Sequence, residues 1–206
     1  MACASPLVLA QPVQRKPSGD EHAILVVGDS LSAEYGIARN KGWVALLQGT
    51  VDQQWPGYRL VNASISGDTT SGGLSRLAAL LQKHQPRVVI LELGGNDALR
   101  GLALSMTESN LKKMSQMAHA AGARVILAGM QIPPNYGKDY TEAFRNLYPK
   151  VAQETGAGLI PFFLKGVAEN RDLFQQDGIH PNEDAQPIIA GTVWESLKPI
   201  LKSIPG

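Results

Sequence analysis

Two short segments near opposite ends of the chain carry the residue types of nucleophilic acyl transfer. The first is Gly28-Asp29-Ser30-Leu31-Ser32, where a serine follows an aliphatic run and precedes a turn. A serine at such a junction can point its Oγ into a crevice while backbone N–H groups of the turn face developing negative charge. Ser32 competes for the role but lies further from the strand end. The segment is not the Gly-x-Ser-x-Gly elbow of α/β-hydrolases, because position 32 is serine. Taken alone, a serine that caps a turn is the competing reading. The second segment is Asp177-Gly178-Ile179-His180-Pro181. Its spacing around a turn lets the carboxylate reach the imidazole Nδ1–H, which fixes the tautomer and leaves Nε2 free to take a proton from a serine. An Asp-Gly turn with a helix-start histidine is the alternative. The other histidines are read as solvated or packed: His22 in a linker, His84 at a helix end and His119 within a helix.

Two glycine-bearing loops offer groups that could face an oxyanion. In the segment from Asn62 to Gly73, Gly67 can bring its backbone N–H close to a substrate oxygen, although the Ser/Asp/Thr cluster there also fits a helix N-cap. In Leu93-Gly94-Gly95-Asn96-Asp97, two glycines clear space beside an asparagine whose amide can donate a neutral hydrogen bond; an Asn/Asp turn ending a strand is the alternative. Loss of one oxyanion donor costs about 2.7–4 kcal/mol in a characterised protease, so a well-placed Asn96 matters energetically.

These segments need a scaffold, and the rest of the sequence supplies one. Five aliphatic runs read as strands: Ala23 to Gly28, Tyr58 to Asn62, Arg87 to Leu93, Arg124 to Gly129 and Gly158 to Phe162. The middle runs are apolar almost without alternation, as parallel strands covered on both faces require. Between them, Trp43 to Trp55, Ser71 to His84, Glu108 to Ala121 and Thr141 to Thr155 carry apolar residues at three- and four-residue spacing and read as helices. A last amphipathic stretch, Asp184 to Leu201, contains Pro187 and Pro199. The alternation predicts an α/β fold, a three-layer α/β/α sandwich with a flavodoxin-like five-stranded parallel sheet in the order 2-1-3-4-5. Ligands of such sheets bind beyond the carboxyl ends of the strands, where the winding reverses between the first and third strands. The Ser30 and Asn96 segments follow those two strands.

The 206 residues fit one domain of ordinary size, expected over 23–206. Residues 1–22 read as a signal remnant or flexible N-terminal arm: Ala2 to Ala10 are small and apolar, Val8-Leu9-Ala10 resembles a cleavage site, and Gln11 to Glu21 is linker-like. A net charge of +1, with both signs mixed along the chain, gives no footprint for nucleic acid or an anionic membrane. The single cysteine, Cys3, excludes an intramolecular disulfide. No stretch has the roughly 18–20 apolar residues of a membrane span. A monomer is expected, for want of a coiled-coil pattern.

Together, Gly28-Asp29-Ser30, Gly67, Gly94-Gly95-Asn96-Asp97 and Asp177-Gly178-Ile179-His180-Pro181 resemble the four sequence blocks of the SGNH (GDSL) hydrolase superfamily, in order. Within it, Gly42 to Leu47, Asn62 to Asp68, Gln131 to Gly137 and Pro161-Phe162-Phe163 resemble the bacterial acyl-CoA thioesterase I / lysophospholipase / arylesterase group. The resemblance implies a triad of Ser30, Asp177 and His180, and an oxyanion hole made by the Ser30 N–H, the Gly67 N–H and the Asn96 side chain. It implies no metal and no organic cofactor. The expected partner is a small or lipid-like acyl ester: a carboxylic ester, an acyl thioester or a lysophospholipid. Leu99 and Ile132, in loops that border the acyl groove of related enzymes, are the candidate substrate contacts, and Arg100 can meet a headgroup phosphate or stay solvated. Relatives of this group are typically periplasmic, so a periplasmic or secreted location is expected, with a cytoplasmic form left open. Two other readings compete: a carbohydrate O-acetyl esterase of the same superfamily, and a flavodoxin-like nucleotide- or flavin-binding module. The latter lacks a Gly-x-x-x-x-Gly-Lys-Ser/Thr or Gly-x-Gly-x-x-Gly loop after the first strand and leaves Asp177 and His180 without a task.

Overall fold

The structure, a computed structural model, describes residues 22–204. The expected signal remnant or arm lies outside these residues except for His22, which is not in a linker: it opens the first strand and sets its ring 5.2 Å from that of Tyr58. The strands are β1 (His22–Gly28), β2 (Tyr58–Asn62), β3 (Val88–Glu92), β4 (Arg124–Ala128) and β5 (Gly158–Ile160). All neighbouring pairs are parallel, in the order β2-β1-β3-β4-β5. Residues 23–28 of β1 and all of β3 are buried, which explains their unbroken aliphatic sequences.

Among the described residues there are six α-helices: α1 (Trp43–Gln54), α2 (Thr70–His84), α3 (Gly95–Leu99), α4 (Leu104–Ala120), α5 (Lys138–Thr155) and α6 (Gln186–Ser203). α1 packs with α6, while α4 packs with both α2 and α5, giving the two outer layers of the sandwich. α1 buries Trp43, Val44, Leu47 and Val51, an apolar face at helical spacing. Pro187 falls in the first turn of α6, where its missing N–H leaves no helical bond unmade. Among the described residues, no helix is long and apolar enough to cross a membrane.

The register of β1 and β3 positions the chemistry. Gly28 pairs with Glu92, so the loops that follow these strands leave the sheet side by side. Beyond β2 the chain continues along β1, with the Ala63 N–H donating to the Val26 carbonyl at 2.9 Å and the Ile65 N–H to the Gly28 carbonyl at 3.0 Å. Three loops thus converge at the carboxyl end of β1.

Candidate active site

Ser30 stands two residues beyond β1 at the start of a tight turn. Asp29 shapes this turn: its carbonyl accepts from the Ser32 and Ala33 N–H groups, and its Oδ1 accepts from the Leu31 N–H at 3.0 Å. The Ser30 N–H has no acceptor among the described residues. Ser32, the competing serine, is buried and committed elsewhere: its hydroxyl donates to Glu92 Oε2 at 2.7 Å and accepts from Trp43 Nε1 at 3.2 Å. Gly28 is needed at the strand end, because a Cβ there would lie 2.7 Å from Glu92 Oε2 and 2.8 Å from Ser32 Oγ.

Asp177 and His180 lie on a loop outside the sheet, closed by an antiparallel bridge between Phe174 and Pro181. Asp177 Oδ2 lies 2.7 Å from His180 Nδ1, and His180 Nε2 lies 3.0 Å from Ser30 Oγ. The carboxylate at Nδ1 dictates the tautomer, with the ring proton on Nδ1 and the Nε2 lone pair facing the hydroxyl. Asp177 Oδ1 also accepts from the His180 and Ile179 N–H groups at 3.0 and 2.9 Å. These bonds, the His180 N–H first, then the imidazole and the Ile179 N–H, pull the Asp177 pKa from 3.8 down to about 2, although its side chain is 39% exposed. Tyr35 sets its ring 4.5 Å from the His180 ring.

The three expected oxyanion groups differ in availability. The Gly67 N–H, like that of Ser30, has no acceptor among the described residues. Asn96, the second residue of α3, already donates both Nδ2 hydrogens, to Asp29 Oδ2 and to the Asp68 carbonyl, each at 2.9 Å. The Gly67 loop is tied from two sides. Arg76 Nε donates to Asp68 Oδ2 at 2.9 Å and its Nη1 donates to the Ala63 carbonyl, while Arg100, expected to be solvated or on a headgroup, donates from Nη2 to the Gly67 carbonyl at 2.8 Å.

Beneath Ser30 lie two buried carboxyl groups. Burial raises the Asp29 pKa from 3.8 to about 6, against the lowering effect of the Leu31 N–H and the Asn96 amide. Burial raises Glu92 well above its ordinary value, and the charge of Asp29 adds to the shift. Glu92 Oε2 accepts from Ser32 Oγ and from the Asp29 N–H, and its Oε1 has no partner. Glu92 was readable in principle as the one ionisable residue in the run Val88 to Leu93.

Of the expected substrate contacts, Leu99 is exposed at the end of α3, whereas Ile132 is 9% exposed and packs in the core. Tyr35, Ile65 and Ile179, on the other three loops of the site, are exposed large hydrophobic residues that the sequence did not single out. The cavity beside Ser30 and His180 measures about 10 Å³, room for about one water. His84 ends α2, and His119, in the last turn of α4, has its Nδ1 3.1 Å from the Ala123 carbonyl. Among the described residues, no group of three or more His, Cys, Asp or Glu side chains is placed to hold a metal ion.

A parallel α/β/α sandwich with serine, imidazole and carboxylate in hydrogen-bonded sequence at its strand ends has the layout of a serine hydrolase. The chain belongs to the GDSL-like Lipase/Acylhydrolase family, which matches residues 26–186. It is 52% identical over 178 residues to Esterase TesA of Pseudomonas aeruginosa, covering 86% of this chain and 89% of that protein. It is 47% identical over 178 residues to Thioesterase 1/protease 1/lysophospholipase L1 of Escherichia coli (strain K12), covering 86% and 84%. A crystal structure of TesA superposes with a TM-score of 0.85 at 51% identity, covering 87% of this chain and 99% of that one.

Proposed function

We propose that the protein hydrolyses carboxylic esters, and acyl thioesters or lysophospholipids among them, through a covalent acyl-enzyme on Ser30. The observation that carries this is the continuous path from Asp177 Oδ2 to His180 Nδ1 at 2.7 Å and from His180 Nε2 to Ser30 Oγ at 3.0 Å. His180 takes the Ser30 proton as Oγ attacks the carbonyl carbon, and Asp177 stabilises the imidazolium. The imidazolium then protonates the leaving group. His180 next draws a proton from water, whose oxygen attacks the acyl carbon and releases the acid and free Ser30.

The oxyanion is received by the Ser30 and Gly67 N–H groups, unpaired among the described residues, and by Asn96. Asn96 must exchange a bond to do so. A hydrogen bond to a neutral acceptor is worth about 1 kcal/mol net and one to a charged acceptor about 1.5–3 kcal/mol, so an oxyanion displaces the neutral Asp68 carbonyl while the Asp29 bond holds the amide in place.

The apolar rim of Tyr35, Ile65, Leu99 and Ile179 favours an acyl chain lying across an open surface over an acetyl group on a sugar. No metal or organic cofactor takes part in this scheme. We place the enzyme in the periplasm or secreted, on the apolar Ala2 to Ala10 segment, and expect a monomer whose hydrolase domain opens on β1 at His22.

The test is an assay of wild type and Ser30→Ala on p-nitrophenyl esters from acetyl to palmitoyl. Wild type is expected to prefer chains longer than acetyl, and the folded variant to lose hydrolysis. Acetyl preference with rapid turnover of acetylated sugars would favour the O-acetyl esterase. A folded, inert wild type that purifies with a yellow cofactor would favour the flavin-binding reading.

A further inference from the structure

Ser30 and His180 come from segments 150 residues apart, one following a strand and the other on a loop that contributes nothing to the sheet. Their 3.0 Å separation therefore depends on how the acid–base loop docks against the segment after Ser30. Glu183, three residues past His180, accepts from the Ala38 N–H at 3.0 Å; within the loop itself, the side chain that reaches across is that of Gln175. Gln175 Nε2 donates one hydrogen to the Tyr35 carbonyl at 2.8 Å and the other to the Pro181 carbonyl at 3.1 Å. Its own N–H donates to the His180 carbonyl at 2.8 Å, and its carbonyl accepts from the Gly178 N–H at 2.9 Å. The bonded carbonyls flank the residues that matter: Pro181 follows His180, and Tyr35 presents its ring to the imidazole. The seat is tight on the other side. Gly36 has φ +71°, and a Cβ on it would fall 2.0 Å from Gln175 Oε1.

We propose that Gln175 is a positioning residue: its amide ties the acid–base loop to the nucleophile segment and thereby fixes the His180 imidazole in line with Ser30 Oγ. This rests on the triad reading of Ser30 and His180. Gln175 reaches only backbone groups of the two loops and no substrate atom, so the tie acts chiefly on proton transfer and touches the acyl rim only through the backbone that carries Tyr35 and Ile179. A misplacement of about 1 Å can cost on the order of 10²-fold in rate, which sets the scale of what two lost bonds can do.

Gln175→Met keeps the length of the side chain and removes both donors. With p-nitrophenyl butyrate, we expect kcat to fall by about 10- to 100-fold with KM within about twofold of wild type. In a His180→Ala background the same change should alter the residual rate by less than about twofold, because a residue that acts through His180 has nothing left to position. Gln175→Glu, which sets a carboxylate against two carbonyls, should show the same pattern and serves if the methionine variant does not fold. A kcat within about twofold of wild type in either folded variant would overturn the proposal, as would losses that multiply with His180→Ala. A wild-type protein inert to esters and to a fluorophosphonate would instead remove the triad reading beneath it; an active wild type matched by an active Gln175→Met removes only the tie.

Discussion

Ser30 stands between two carboxyl-bearing regions that treat the same functional group in opposite ways. On the solvent side, Asp177 is held near pKa 2 by two backbone N–H groups and an imidazole, on a loop anchored by hydrogen bonds. On the buried side, Asp29 is raised to about 6 and Glu92 well above its ordinary value, because burial deprives their charged forms of water. On the proposed mechanism, the contrast separates two tasks. A partner for an imidazolium has to stay ionised throughout, and three hydrogen bonds achieve that without burial. A floor beneath a developing oxyanion should carry little negative charge, and a buried pair that retains a proton limits it. Asp29 remains useful as an acceptor, orienting the Asn96 amide at 2.9 Å.

The largest effect should come from neutralising the solvent-side group. Asp177→Asn leaves the shape of the loop but no longer fixes the Nδ1–H tautomer, and we expect kcat to fall by about 10⁴-fold, measured on p-nitrophenyl butyrate. A loss below tenfold would mean that the exposed carboxylate does not orient His180. Next comes the group the floor orients: Asn96→Ala should cost about 10²–10³-fold in kcat with little change in KM. An unchanged kcat would leave Asn96 as a tie between Asp29 and Asp68 and nothing more.

The smallest effect concerns stability against pH, and it tests the opposite shifts themselves. Asp177 has a lowered pKa, so its contribution is present above pH about 4 and lost as pH falls toward 2. Asp29 and Glu92 have raised pKa values, so the folded state binds more protons than the unfolded one. Their contribution is present below pH about 4 and is lost as pH rises, through about 6 for Asp29 and through the raised pKa of Glu92. Glu92→Gln removes one of these groups. Thermal melts from pH 5 to 8 should show a smaller fall in midpoint for the variant than for wild type, by a few degrees if about 1 kcal/mol is at stake. Parallel pH profiles for the two proteins would place no titrating proton on Glu92.

The sheet was readable in advance because buried parallel strands announce themselves: Val88 to Glu92 is buried throughout, and the βα alternation left few strand orders to choose from. Helix starts were harder to place. α4 begins at Leu104 and not Glu108, and α5 at Lys138 and not Thr141: the buried face of α4 continues through Thr107, a polar residue that gives no apolar signal, and α5 opens on exposed Lys138 and Asp139. α3 escaped notice as five residues opening on glycine. α6 starts at Gln186, two residues later than expected, after a short 3₁₀ turn capped by Asn182, whose Oδ1 accepts from the Asp184 and Ala185 N–H groups.

At the site, the local motifs placed Ser30, Asp177 and His180 where the structure brings them together, while the supporting contacts had no local signature. Gln175 bonds a carbonyl 140 positions away and Asn96 bonds a carboxylate 67 positions away. A side-chain bond to a distant loop leaves no period and no spacing. Glu92 is the exception, since an acid inside an aliphatic strand signals a buried proton or partner before any coordinates exist.

The claim on which all of this rests is that Ser30 Oγ is the attacking atom. Wild-type protein treated with a fluorophosphonate, followed by intact-mass and peptide mapping, should gain one adduct, on Ser30, and lose ester hydrolysis in step, while folded Ser30→Ala gains none. An adduct on Ser32 or elsewhere, or full hydrolysis by Ser30→Ala, would contradict it.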